Sequence, residues 1–151
     1  MEQSSYDRAI VHIKKAERLI HRGRQLESVA LYRKAIKLIP ENADLLNNFA
    51  NILTNLNRVD EAIGFFKKAI KIDPASAQTH ANLGSALATK GRFYEAITEN
   101  RLALELDPNF YGAHGTLGFW LVKVGRHDEG LKHLQVAVDH LSKGYWVYLL
   151  K

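Results

Sequence analysis

Between residues 45 and 56, apolar side chains recur every three or four positions: Leu45, Leu46, Phe49, Ile52, Leu53 and Leu56. That spacing predicts an amphipathic helix with one broad apolar face. Asn57 follows, a residue that tolerates the left-handed conformation in which helices commonly end. A second periodic stretch then places Ala62, Ile63, Phe66, Ala69, Ile70 and Ile72 on one side, and Pro74 stops it. The predicted unit is therefore two helices joined by a tight turn.

The same unit recurs along the chain. Its three prolines, Pro40, Pro74 and Pro108, stand thirty-four residues apart. The turn segment keeps that step as GRQLESV from Gly23, NRVDEAI from Asn57, GRFYEAI from Gly91 and GRHDEGL from Gly125. Arg24, Arg58, Arg92 and Arg126 are thus equivalent, as are Glu27, Glu61, Glu95 and Glu129. Further rows are Ala16, Ala50, Gly84 and Gly118; Leu19, Leu53, Leu87 and Leu121; and Ala35, Ala69, Ala103 and Ala137. The small residues are expected where two helices cross closely. Four units follow, approximately 5–40, 41–74, 75–108 and 109–142, with Ser142 where a fourth proline would fall. Ser4 with Asp7 has the form of a capping box, and Asn42, Ser76 and Asn109 are expected to cap the next helices.

A fixed period of this size marks stacked repeats, in which one hairpin buries its apolar face only against the next. The expected fold is all-α: a right-handed α-solenoid of helix-turn-helix repeats over residues 1–142. Residues 143–151 form a capping helix or the start of a further segment. That tail, with Tyr145, Trp146, Val147, Tyr148, Leu149 and Leu150, is too apolar to face water.

The rows resemble the tetratricopeptide repeat, whose consensus runs Trp, Leu-Gly, Tyr, then Ala and Phe, then Pro. The third unit carries it as Leu83-Gly84, Leu87, Ala96 and Pro108, and the second as Phe49-Ala50, Leu53, Ala62, Phe66 and Pro74. The consensus Trp is replaced by His12, Leu46, His80 and His114, and the consensus Phe by Asn100 and Leu134 in the last two units. Lys15 occupies a normally apolar site.

The resemblance implies that the first helices of successive units line a concave groove that holds an extended peptide. Mapped onto this chain, the groove presents Asp44, Asn47, Asn48, Asn51 and Asn55, then Gln78, Asn82 and Ser85, then Thr116 and Phe119. Asn is a mediocre helix former, so this many on one helix reduces helicity. An amide both donates to and accepts from a peptide backbone, which suits sequence-tolerant binding. The arrangement is similar to the asparagine ladder of the O-linked N-acetylglucosamine transferase superhelix, with Asn48 and Asn82 as equivalent rungs. In the last unit Gly112 and Gly115 leave a notch beside Phe119. A clamp for a terminal carboxylate is incomplete: Asn51 and Asn82 match its amides, but Asn47, Gly112 and Thr116 fill its cationic sites.

Composition narrows the function classes. The formal net charge is +5, and residues 1–40 alone hold nine Lys and Arg against four Asp and Glu. The basic first unit reads as a cationic end; with only Tyr6 and Tyr32 among its cations, nucleic acid is not favoured as a partner. Cysteine is absent, which excludes disulfides and thiolate metal sites. No apolar run approaches the roughly 18 residues that span a bilayer, so no membrane partner is expected, and the start has no secretory pattern. A cytoplasmic location is the default. No phosphate loop, HExxH pair or GxSxG elbow occurs, and the seven histidines lack obvious ligand spacing, so neither an enzyme nor a cofactor or metal is expected. The chain reads as a non-catalytic scaffold for a protein or peptide partner. Two alternatives stand beside it: the amino-terminal substrate-recruiting region of a larger transferase, and a homo-oligomer assembled through solenoid ends.

Overall fold

The rows of small and large residues set where helices begin, end and cross, and the computed structural model describes that arrangement for the backbone of residues 4–149 and the side chains of 4–141. Eight helices appear among the described residues: α1 (Ser5–His21), α2 (Gln25–Leu38), α3 (Ala43–Asn55), α4 (Val59–Ile72), α5 (Ala77–Thr89), α6 (Phe93–Leu106), α7 (Tyr111–Lys123) and α8 (His127–Leu149). They divide into two units, Met1–Pro74 and Ala75–Lys151.

Each hairpin turns at a residue with positive φ: Gly23 (73°), Asn57 (60°), Gly91 (74°) and Gly125 (87°). At the first turn Gly23 N–H donates to Ile20 and Arg24 N–H donates to Leu19, both at 2.8 Å. The same two bonds recur at the other turns, including Arg58 to Leu53 and Arg126 to Leu121, each 2.8 Å. This is the Schellman closure, which satisfies carbonyls otherwise orphaned at a helix end. The helix after the turn starts at once, with the conserved-register Arg at its cap position.

The helix starts differ. Ser4 accepts from Asp7 N–H at 3.1 Å and Asn42 accepts from Leu45 N–H at 2.8 Å. Ser76 accepts from Thr79 N–H at 3.3 Å. The expected cap at Asn109 is not used. The position equivalent to Asn42 and Ser76 is Phe110, which makes no side-chain cap bond; Asn109 instead donates its N–H to Asp107 Oδ1 at 3.0 Å. The thirty-four-residue step, applied strictly, identifies Phe110.

In the first unit α1 packs on α2, α2 on α3 and α3 on α4. Phe49, Leu53 and Phe66 are almost wholly buried there. Full burial of such a side chain stabilises the fold by about 1.5–3 kcal/mol. Tyr32 stacks on Phe49 at 5.7 Å, and Phe65 meets Phe49 edge-on at 4.9 Å. The second unit repeats the order: α5 packs on α6, α6 on α7 and α7 on α8. Ile97 of α6 clusters with Leu117 and Leu121 of α7, flanked by Leu104 and Trp120. The small-residue row sits at the crossings: a Cβ on Gly84 would collide with the Asn100 amide nitrogen, and one on Gly118 would meet the Gly130 carbonyl oxygen at 2.7 Å. The backbone of α8 is helical through Leu149; the side chains of the expected capping tail lie outside the described residues.

Candidate functional site

On the first helix of a hairpin, side chains four, seven and eleven residues apart share one line. On α3 that line is Asp44, Asn48, Asn51 and Asn55, with Asn51 half-buried and the others exposed. On α5 it is Gln78, Asn82, Ser85 and Thr89, and on α7 Gly112, Thr116, Phe119 and Lys123. Asn48, Asn82 and Thr116 are each the sixth residue of a thirteen-residue helix. All the residues expected in the groove belong to these lines except Asn47. Only 9% exposed, Asn47 lies beside the line rather than on it, and its amide reaches Asn48 Oδ1 at no better than 3.5 Å.

The hydrogen-bonding capacity of the lines changes from helix to helix. The amides of Asn51, half-buried, and Asn55, exposed, make no hydrogen bond within the described residues. On α5, Gln78 Nε2 donates to Asn82 Oδ1 at 2.9 Å. The hydroxyls of Ser85, Thr89 and Thr116 donate to the carbonyls of Ala81, Ser85 and Gly112 at 3.1, 3.1 and 3.0 Å. A hydroxyl held in this way can still accept, but its proton is committed to its own helix. Amides can donate and accept, whereas hydroxyls held in this way can only accept from a further group.

The α7 line ends in an aromatic patch that sequence reasoning found only in part. Phe119 is 55% exposed. Its ring meets Trp120 edge-on at 4.8 Å, Trp120 stacks on Phe93 of α6 at 5.1 Å, and Lys123 Nζ lies 6.0 Å from the Phe93 ring centre. Periodicity places Phe119 but not Phe93, which comes from the helix before. The two glycines expected to leave a notch beside Phe119 face other residues: a Cβ on Gly112 would meet the Phe110 ring at 3.3 Å, and one on Gly115 the Ala137 methyl at 3.7 Å. Neither glycine is required by the helix crossing.

Ionisable groups sit away from these lines. The Arg-x-x-Glu signature makes pairs within each hairpin, such as Arg92 with Glu95 at 2.6 Å and Arg126 with Glu129 at 2.5 Å. Sequence reasoning missed a second partner. Arg33 of α2 also pairs with Glu61 of α4, and Arg101 of α6 pairs with Glu129 of α8 at 2.5 Å. Partial burial would raise both carboxyls, but the two guanidiniums at each site outweigh it and hold them below the usual range. Two histidines of the consensus-Trp row bond the next helix of their hairpin, His80 Nδ1 to Glu99 at 2.7 Å and His114 Nδ1 to His133 Nδ1 at 2.9 Å, whereas the buried Nδ1 of His12 has no hydrogen-bond partner among the described residues. Among the described residues no three His, Asp or Glu gather as a metal site, and no helix is long and apolar enough to cross a membrane. A separate hollow of about 450 Å³ in the first unit is lined by Pro40, Glu41, Leu46, Lys68, Lys71 and Ile72, off the amide line.

Comparison with known proteins follows the same repeat. Profiles described as tetratricopeptide repeat match residues 31–64 and 77–110, and one described as TPR repeat matches 50–91. Among solved structures, a MamA crystal structure is similar with a TM-score of 0.83 and 18% identity, covering 91% of this chain and 80% of that one. Another, titled MamA AMB-1, is 26% identical with a TM-score of 0.79, covering 90% and 80%. A third, titled YrrB, "a TPR protein with an unusual peptide-binding site", is 21% identical with a TM-score of 0.76, covering 87% and 68%. No curated protein sequence matches significantly.

Proposed function

Since the chain belongs to the tetratricopeptide repeat family, we propose that it is a non-catalytic interaction module whose first helices bind an extended polypeptide. The observation that carries this reading is the row of amides on α3. Asn48, Asn51 and Asn55 follow one another along one side of a helix, and the last two have no hydrogen-bond partner within the described residues. A soluble surface helix is better served by Lys or Glu. Amides in line fit the alternating donors and acceptors of an extended backbone. Within the second unit, Gln78 and Asn82 on α5 offer the same chemistry, and Phe119 on α7 offers an apolar contact for a ligand side chain. The MamA and YrrB structures support the fold, and the YrrB title describes peptide binding by that protein.

The test is retention of an immobilised library of unstructured peptides by the wild type and by Asn51→Ala/Asn55→Ala. Each hydrogen-bonding side chain removed is expected to weaken binding by about 1 kcal/mol, so the double variant loses roughly tenfold or more in affinity. The helical circular dichroism should be unchanged. Equal retention by a folded double variant rules the amide surface out as the binding site.

A further inference from the structure

The hollow of about 450 Å³ in the first unit is formed by the start of the α3–α4 hairpin, at Pro40, Glu41 and Leu46, and its end, at Lys68, Lys71 and Ile72. That volume is in the range of small-molecule sites. Leu46 is buried and Ile72 is 41% exposed. The repeat does not require the two lysines. In the next hairpin Leu102 and Glu105 stand in their places, and in the last Val136 and Asp139. Neither lysine forms an ion pair among the described residues; Lys68 Nζ only overhangs the Phe65 ring, 5.2 Å from its centre. Three residues apart on α4, the two ammoniums can converge on one group. Set against Glu41 they leave one positive charge, which suits a monoanion better than a phosphate dianion.

The lining beneath them is apolar. His80 and His114, the equivalents of Leu46, turn ring nitrogens to Glu99 of α6 and His133 of α8; Leu46 has no polar atom to offer. The last hairpin shows what such a corner accommodates. There a smaller hollow, about 210 Å³, is lined by Tyr111, Val136, Asp139 and His140. The Tyr111 ring lies flat on the His140 ring, with centroids 3.6 Å apart and planes 9° from parallel. Tyr111 opens α7 as Ala43 opens α3, and His140 is the equivalent of Ile72. The α3–α4 hairpin therefore keeps the shelf but lacks the ring, and has lysine where the last hairpin has aspartate.

We propose that this corner binds an aromatic ring carrying one carboxylate, with the ring on Ile72 and Leu46 and the carboxylate between Lys68 and Lys71. The hollow is off the amide line of α3, so this site and the peptide-binding reading stand or fall separately.

Isothermal titration with indole-3-acetate and with the uncharged indole-3-ethanol tests it. The acid is expected to bind at least about tenfold more tightly than the alcohol, because only the acid engages the lysines. Lys71→Glu, which copies Glu105 of the next hairpin, should weaken the acid at least about tenfold. Lys37→Glu reverses the equivalent charge on α2, where Tyr6 and His12 replace Pro40 and Leu46, and should leave binding unchanged. Ala43→Tyr retains every charge and should abolish binding by laying its own ring on Ile72. Circular dichroism reports the folding of each variant. N-acetyl-Ala-Ala-Phe presents the same group at a chain end; whichever of it and indole-3-acetate binds more tightly assigns the source as a chain terminus or a free acid. Absence of binding by both acids, equal binding of indole-3-acetate and the alcohol, equal losses in Lys37→Glu and Lys71→Glu, or undiminished binding by folded Ala43→Tyr overturns the proposal.

Discussion

Gly118 of α7 and Gly130 of α8 meet backbone to backbone: a Cβ on either would lie 2.7 Å from the carbonyl oxygen of the other. No flexible side chain can yield there, so the two helices would have to separate. Gly115, three residues earlier on α7, faces only the Ala137 methyl at an ordinary 3.7 Å. Overpacking a tight contact costs about 1–3 kcal/mol, whereas Ala in place of an unconstrained helical Gly gains about 0.5–1 kcal/mol. Gly118→Ala and Gly130→Ala should therefore lower the urea midpoint, and Gly115→Ala should raise it. Shifts of the same sign at Gly115 and Gly118 would show that the crossing is looser than described.

Asn100 is fully buried on α6 where other hairpins have Tyr32, Phe66 and Leu134. Its Nδ2 donates to the Ala96 carbonyl at 2.9 Å, but Oδ1 has no partner. A buried unsatisfied acceptor costs about 1–3 kcal/mol. Asn100→Leu removes it and puts an apolar filler opposite Gly84, as Leu134 is opposite Gly118, so stability should rise by about 1 kcal/mol. Asn100→Asp places a carboxylate in the same site and should destabilise by several kcal/mol at neutral pH. Denaturant melts of both variants provide the check; a neutral Asn100→Asp would mean that water reaches the site.

These two sites also mark where the sequence was readable. The turns at Gly23, Asn57, Gly91 and Gly125 and the crossings at Gly84 and Gly118 follow from repetition, because one rule of local geometry acts on every copy. Asn100 stood out as a departure, yet its link to Gly84 is a tertiary contact sixteen residues away in the chain. The ion pairs of Arg33 and Arg101 escaped for the same reason: their glutamates lie on the second helix of the following hairpin, while Arg58 and Arg126 offered a nearer explanation. In the candidate site, Asp44, Asn48, Asn51 and Asn55 were legible from helical spacing. The same spacing takes Asn47 off that line, since one residue along a helix turns a side chain by about 100°, and its inclusion in the groove set that step aside. Phe93 joins Phe119 through Trp120, and neither spacing nor repetition reveals that.

Acid should weaken both units through Glu61 and Glu129. Each carboxyl is held below its ordinary value of 4.5 in the folded chain. Burial alone would raise it, but Arg33 with Arg58, and Arg101 with Arg126, prevail. A lowered carboxyl contributes stability that is present above the unfolded value and is lost as pH falls through the folded one. The pairs are half-exposed, so each is worth about 0.2–1 kcal/mol. Glu61→Gln/Glu129→Gln should be slightly less stable than the wild type at neutral pH and should lose less stability between about pH 5 and pH 3. Parallel stability curves for the two proteins over that range would show that the pairs contribute nothing.

His133 should make the second unit sensitive to a milder pH change. His114 Nε2 lies 3.0 Å from the Pro108 carbonyl, which can only accept, so that nitrogen carries the proton. In neutral His114 the Nδ1 lone pair then accepts from His133 Nδ1–H, 2.9 Å away. Burial disfavours a charged His133, and His114 and Arg101 act in the same sense; Glu129 opposes them, and the net effect places His133 below its ordinary 6.5. The unfolded chain therefore takes up this proton first. Stability is fully present above the unfolded value and declines as pH falls from 6.5 toward the folded value. In the first hairpin Leu31 holds the equivalent position, so His133→Leu fits the same packing and carries no titrating group. The urea midpoint of the wild type should fall between about pH 7.5 and pH 5.5, and that of His133→Leu should fall less. An identical fall in both proteins would assign the sensitivity to another histidine.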